Sequence, residues 1–156
     1  MINIEPPSSQ PALDALPTLS KSGLTRFLHR AQAAVGLVGE VDVLLAGDRT
    51  VRRLNREFRG KDKATDVISF PALSVEEGGA AGVAGDIAVS LDTAWRQAMR
   101  FGHTLRDEVR ILLLHGLLHL HGMDHETDSG EMAAVEGELR VRLGLPVALI
   151  ARAVKR

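Results

Sequence analysis

The sequence contains no cysteine and no tyrosine. Without cysteine there is no disulfide, no thiolate metal ligand and no cysteine nucleophile. Any metal must be held by histidine, carboxylate or water. Aromatic residues are scarce: Trp95 and four phenylalanines, Phe27, Phe58, Phe70 and Phe101. That argues against the base-stacking sheet of the common single-strand RNA modules. An excess of charge is also missing, because 19 basic and 20 acidic residues leave a net charge of −1. Nucleic-acid binding must therefore come from a local patch. There is no long hydrophobic run. The most apolar segment, Ile111–Leu120, is interrupted by two histidines and is too short to span a bilayer. Met1–Gln10 lacks the basic region and apolar core of a signal peptide. The expectation is a cytoplasmic protein with no membrane partner.

What is there describes one globular domain. The chain has 156 residues, 45% hydrophobic and 25% charged. A domain of this size buries roughly 70% of the surface its unfolded chain exposes, so it needs no staples. Met1–Ile4 reads as a short strand and Glu5–Pro17 as loop. Ser20 caps a predicted helix to about Val35, stopped by Gly36 and Gly39. Val41, Val43 and Leu45 alternate along a strand ending at Gly47. Asp48 is expected to cap a helix through Phe58, with Val51, Leu54 and Phe58 facing the core. Thr65–Phe70 and Asp86–Ser90 read as strands, and the Gly/Ala-rich stretch between them as a loop or hairpin connection. Helices are predicted over Asp92–Arg100 and from Thr104 to about His121. A last helix opens at Asp128 or Ser129 and buries Met132, Val135, Leu139 and Leu143. The pattern predicts an α+β fold: a single domain with an approximately four-stranded mixed sheet packed with four to six helices.

The chemistry is concentrated in His115-Gly116-Leu117-Leu118-His119-Leu120-His121-Gly122-Met123-Asp124-His125. His115 and His119 are four residues apart on a predicted helix, so they project from one face about 40° apart. Zincin helices present two imidazoles to one metal with this spacing, so the segment reads as a zincin-like metal-binding helix. Gly122 lets the chain turn back and bring His125 to the same point. Three imidazoles with an open fourth position describe a catalytic site, not a closed structural one. His121 falls on a different face, and His29 and His103 read as ordinary core or surface histidines. Asp86 and Asp124 are expected to be structural residues rather than ligands. A HExxH protease carries its glutamate base immediately after the first histidine. Gly116 stands there instead, which disfavours a protease and is expected to leave space beside the metal. Three neutral ligands leave the +2 charge of an ion uncancelled, which suits an anionic substrate.

Asp48–Lys63 is basic. Arg49, Arg52, Arg53, Arg56, Arg59, Lys61 and Lys63 stand against Asp48, Glu57 and Asp62, a net charge of +4. Alone, this describes a solvated surface helix. Beside a metal site suited to phosphate, Arg52, Arg56 and Lys61 become candidate substrate contacts. Arg59 becomes the candidate catalytic residue, because it ends the helix beside Gly60 and its fork can grip two phosphate oxygens.

HGLLHLHGMDH, residues 115–125, resembles the HGxLHLxGYDH motif of the YbeY family of bacterial endoribonucleases. NREFRGKDKATDVISF, from Asn55 to Phe70, resembles the same family's asparagine, arginine, lysine-rich turn and TDVLSFP block. Gly85-Asp86-Ile87 matches its GDI, and Met132 with Leu139–Gly144 loosely matches its closing helix. Met123 replaces a usual tyrosine, His121 a usual leucine and Ala64 a common proline. The resemblance covers about residues 41–145. It implies a zinc site on His115, His119 and His125, with one Zn2+ per chain and another divalent transition metal such as Ni2+ as an alternative. It implies single-strand RNA cleavage, maturation of the 3′ end of small-subunit ribosomal RNA, ribosome quality control and a functional arginine, here Arg59. The implied partners are ribosomal RNA, the ribosomal small subunit, ribosomal proteins and a ribosome-associated GTPase. Residues 1–20 then read as an N-terminal extension, partly loop, and 21–156 as the metal-dependent endoribonuclease domain. The competing reading is an assembly factor with a structural metal and no nuclease activity.

Overall fold

A computed structural model describes residues 1–154. Its strands are β1 (Ile2–Ile4), β2 (Glu40–Ala46), β3 (Val67–Pro71) and β4 (Val83–Ser90). Its helices are α1 (Gln10–Ala15), α2 (Lys21–Val35), α3 (Asp48–Arg59), α4 (Leu91–Phe101), α5 (Leu105–Leu120), α6 (Glu131–Arg142) and α7 (Leu149–Val154). The strands form one mixed sheet in the order β1-β2-β4-β3. β1, β2 and β4 run parallel, while β3 pairs antiparallel with β4 through an Ile68↔Ala88 register and occupies an edge.

Alternation along β2 buries Val41, Val43 and Leu45 and exposes Asp42, the period-two pattern of a strand covered on one face. The cover is α5. Val109, Leu112, Leu113 and Leu117 on this helix are fully buried. A helix apolar around most of its circumference belongs inside the protein, and replacing one such leucine by alanine typically costs about 2–5 kcal/mol. The His115–His119 pair thus rides on a helix packed deep in the core. No helix among the described residues is long and apolar enough to cross a membrane.

Two aspartates pin the elements beneath the sheet's carboxyl ends. Asp92 accepts the backbone N–H groups of Asp48 (2.8 Å), Ser9 (2.8 Å) and Ser8 (3.1 Å). Asp48 accepts the hydroxyls of Ser90 and Thr93 and the guanidinium of Arg96. Burial raises both carboxyls, but these donors outweigh it and hold them below the ordinary carboxylate range.

Several local expectations shift. Helix α1 forms inside the proline-bearing stretch read as loop, because Ser9 caps it and Pro11 sits in its first turn, where a missing N–H is harmless. Helix α7 follows Gly144, beyond the last predicted helix. The cap of α3 is Gly47, and Asp48 is the first helical residue. Phe58 does not face the core: it is 67% exposed and meets Phe70 edge to face at 5.5 Å. On α6 the buried stripe runs Met132, Glu136, Leu139, with Val135 only partly buried. Residues 1–20 supply the edge strand β1 and bury Ile2 and Ala12.

Candidate metal centre and its cleft

Helix α5 starts at a capped end, where the Thr104 hydroxyl accepts the Asp107 N–H at 3.1 Å. It ends at Gly122, whose φ of 99° reverses the chain at a backbone angle that only glycine adopts cheaply. Asp124 then folds the following turn by accepting the Glu126 N–H at 3.0 Å. That turn returns His125 towards α5, where its ring centroid lies 5.1 Å from His115 and 5.5 Å from His119.

Hydrogen bonding fixes which nitrogens face each other. His115 Nδ1 donates to Glu136 Oε2 at 2.6 Å, and His119 Nδ1 donates to the Met123 carbonyl at 2.9 Å. A backbone carbonyl can only accept, so the His119 ring carries its proton on Nδ1, and Glu136 as a carboxylate accepts from His115 in the same way. Their Nε2 lone pairs then face each other 3.1 Å apart. Two lone pairs at that distance repel unless something electropositive lies between them. The Nδ1 of His125 is buried without a hydrogen-bond partner, which is costly for a polar atom. One nitrogen from each of the three rings lies within 4.8 Å of the others. These observations fit a bound cation. Burial first, then the neighbouring His115 and His125, push the His119 imidazole below its usual value, towards the neutral form that ligates metal. Asp86 and Asp124 are not in the group, and neither are His29, His103 and His121. His103 instead bonds the buried Glu108 at 2.6 Å.

The glycine after His115 does a different job from the one expected of it. A Cβ at Gly116 would lie 3.0–3.1 Å from Ile87 side-chain carbons and 3.1 Å from Ser69 Oγ. Gly116 therefore lets α5 approach the sheet closely, and the space beside it is filled by Ile87 and Ser69. Ser69 donates its hydroxyl to the Gly116 carbonyl at 3.0 Å.

The histidines open into a cleft of about 680 Å³ running along the edge strand β3. Its lining also carries Arg59, Lys61 and Lys63. Arg59 Nη2 donates to the Ser69 carbonyl at 2.7 Å, which ties the exposed side chain to β3. Asn55, buried in α3, donates to the Lys63 carbonyl at 2.9 Å and ties down the turn bearing both lysines. Arg52 and Arg56 lie outside the lining. Arg52 forks onto Asp62 at 2.8 and 3.2 Å, and Arg56 stands 3.7 Å from the same carboxylate. The structure thus gathers the three histidines, Arg59 and Lys61, and leaves Arg52 and Arg56 on the flank.

Sequence reasoning missed Glu136 and the wall built by α7, which brings Leu149, Ile150 and Arg152 to the cleft. Glu136 had a signal: it lies four residues after Met132 and three before Leu139, on the buried stripe. A glutamate on such a stripe needs an internal partner.

A family model described as Endoribonuclease YbeY matches residues 8–144. An Endoribonuclease YbeY of Koribacter versatilis is 53% identical over 137 residues, 88% of this chain and 86% of that one. The Endoribonuclease YbeY of Solibacter usitatus is 50% identical, covering 86% of this chain and 87% of its own. A solution structure of a Thermotoga maritima protein, 28% identical, covers 91% of this chain and 93% of its own with a TM-score of 0.50.

Proposed function

The chain belongs to the Endoribonuclease YbeY family, and from that premise we propose that it is a zinc-dependent, single-strand-specific endoribonuclease. One observation carries the reading: three converging imidazoles and an arginine fixed by the β3 main chain share one cleft. His115, His119 and His125 would hold the ion, and a ligand set of neutral imidazoles suits Zn2+, with Ni2+ as the alternative. A divalent ion bound there supplies Lewis acidity to a phosphoryl oxygen.

The protein's own groups do the rest. Arg59 spends one donor on Ser69, and its remaining guanidinium donors face phosphate oxygens, whose charge grows as the diester is attacked. Lys61 and Lys63 draw the RNA backbone into the cleft, and Arg52 and Arg56 extend that field along the flank. The cleft is open along a strand edge and its basic wall reads backbone charge rather than base identity. A splayed single strand fits this better than a stiff duplex.

In the cell this activity serves the 3′ end maturation of small-subunit ribosomal RNA and ribosome quality control, in the cytoplasm. Its partners are the small subunit, ribosomal proteins and a ribosome-associated GTPase. Residues 21–156 form the catalytic domain, and residues 1–20 an extension that completes the sheet edge.

The test is cleavage of defined single-stranded and duplex RNA by metal-loaded protein, with and without chelator, and with product ends identified. Cleavage of the single strand alone, abolished by chelator and restored by Zn2+, is expected. Metal-loaded protein that binds small subunits but cuts no RNA would make it an assembly factor with a structural metal.

A further inference from the structure

Glu136 is 1% exposed, and no lysine or arginine among the described residues pairs with it. A carboxylate taken out of water needs donors on its oxygens and a compensating positive charge. Its donors are two. Oε2 receives the His115 Nδ1–H at 2.6 Å, and Oε1 receives the backbone N–H of Ile150 at 2.8 Å. On the far side of the same ring, His115 Nε2 faces His119 Nε2 at 3.1 Å.

The second donor belongs to α7, and α7 is held at one specific point. Arg152 forks onto the fully buried Glu108 at 2.6 and 2.9 Å. Its guanidinium lies 4.4 Å from the Phe101 ring centroid and reaches Gln97 at 3.3 Å. This ion pair roots α7 on α4 and α5 and so fixes the Ile150 N–H that orients Glu136.

We propose that Glu136 is the positioning residue of the metal centre, and that the Arg152–Glu108 anchor of helix α7 keeps it in place. The inference rests on the reading of His115, His119 and His125 as metal ligands. Glu136 locks the His115 tautomer and ring plane and makes its Nε2 a better donor. Removing such a partner typically weakens metal binding 10–100-fold. The C-terminal helix thereby acts on the ion through two hydrogen bonds and without touching it.

The experiment measures Zn2+ affinity by competition with a chromophoric chelator, well below each protein's melting midpoint, and the visible absorption of Co2+-loaded protein. Glu136→Ala should bind Zn2+ about 10–100-fold more weakly and shift the Co2+ bands, which a purely packing role would leave in place. If that variant does not fold, Glu136→Gln keeps the size and one acceptor and carries the same expectation. The double variant Glu108→Gln/Arg152→Met releases the anchor without stranding a buried charge, and it should shift affinity in the same direction by a smaller factor. A folded Glu136 variant with wild-type affinity and unchanged Co2+ bands overturns the proposal. Wild-type affinity in the double variant overturns the part assigned to α7. A wild-type protein that takes up no Zn2+ overturns the metal reading itself, before any variant is made.

Discussion

Arg59 and Gly116 are joined through one residue: Arg59 donates to the carbonyl of Ser69, and Ser69 donates its hydroxyl to the carbonyl of Gly116. Arg59 and the histidine-bearing helix α5 are thereby tied together across the edge of the sheet. Arg59→Ala should keep its metal and melt close to wild type, because the side chain is exposed. Single-turnover cleavage should fall by about 10²–10³, the usual effect of removing one preorganised donor. Arg59→Lys keeps the charge without the fork and should recover little. Wild-type cleavage by Arg59→Ala would return the arginine to an ordinary surface role.

Each of His115→Ala, His119→Ala and His125→Ala should lose bound metal, measured by elemental analysis after dialysis. The informative member is His125, which comes from the loop and not from α5. Full occupancy in His125→Ala would reduce the site to two ligands.

Two glycines in helices should respond to alanine with opposite signs. Alanine gains about 1 kcal/mol over glycine in a helix interior. At Gly137 in α6 nothing lies within 4 Å of the added carbon, so Gly137→Ala should stabilise by about 0.5–1 kcal/mol. At Gly116 the added carbon meets Ile87 and Ser69 at 3.0–3.1 Å. Overpacking there costs about 1–3 kcal/mol, which cancels or exceeds the helix gain. Gly116→Ala should therefore be destabilised and should weaken metal binding by displacing His115. Urea denaturation of the two apo proteins reads the difference; a more stable Gly116→Ala would show that the sheet yields.

Asp92 supplies a pH dependence. Burial raises its carboxyl, but the N–H groups of Ser9, Asp48 and Ser8 outweigh that, so its folded pKa lies below its unfolded one. A group depressed in this way stabilises above its unfolded value, about pH 4, and the contribution disappears as pH falls through the folded value. Asp92→Ala removes the acceptor of three partly buried backbone N–H groups and should cost about 1–3 kcal/mol at pH 7. The gap from wild type should narrow below about pH 4. A gap constant from pH 7 to pH 3 would assign the loss to packing alone.

The strands and the histidine-bearing helix α5 are legible in the sequence because their signals are local. Alternation marks β2, Thr104 and Gly122 bracket α5, and the His115–His119 spacing declares a shared face. What escapes is set by tertiary context. Phe58 satisfies a helical apolar spacing, yet α3 is short of the core at its end and the ring rests on Phe70 instead. Gly116 reads as empty space from the sequence and as a helix–sheet contact in the fold. Glu136 and Arg152 are ordinary surface residue types whose buried partners lie 21 and 44 residues away. No periodicity reports such pairings.

Two of the three histidines sit on a helix locked into the core, and the third hangs from the short turn that follows it. Gathering them closes a loop of only a few residues, so little chain entropy opposes it. Stripping the ion should then loosen a single segment and spare the sheet, a local opening rather than global unfolding. Amide exchange should rise across residues 121–130 and stay slow in β2 and β4. Such a protein can be emptied and refilled without passing through its unfolded state.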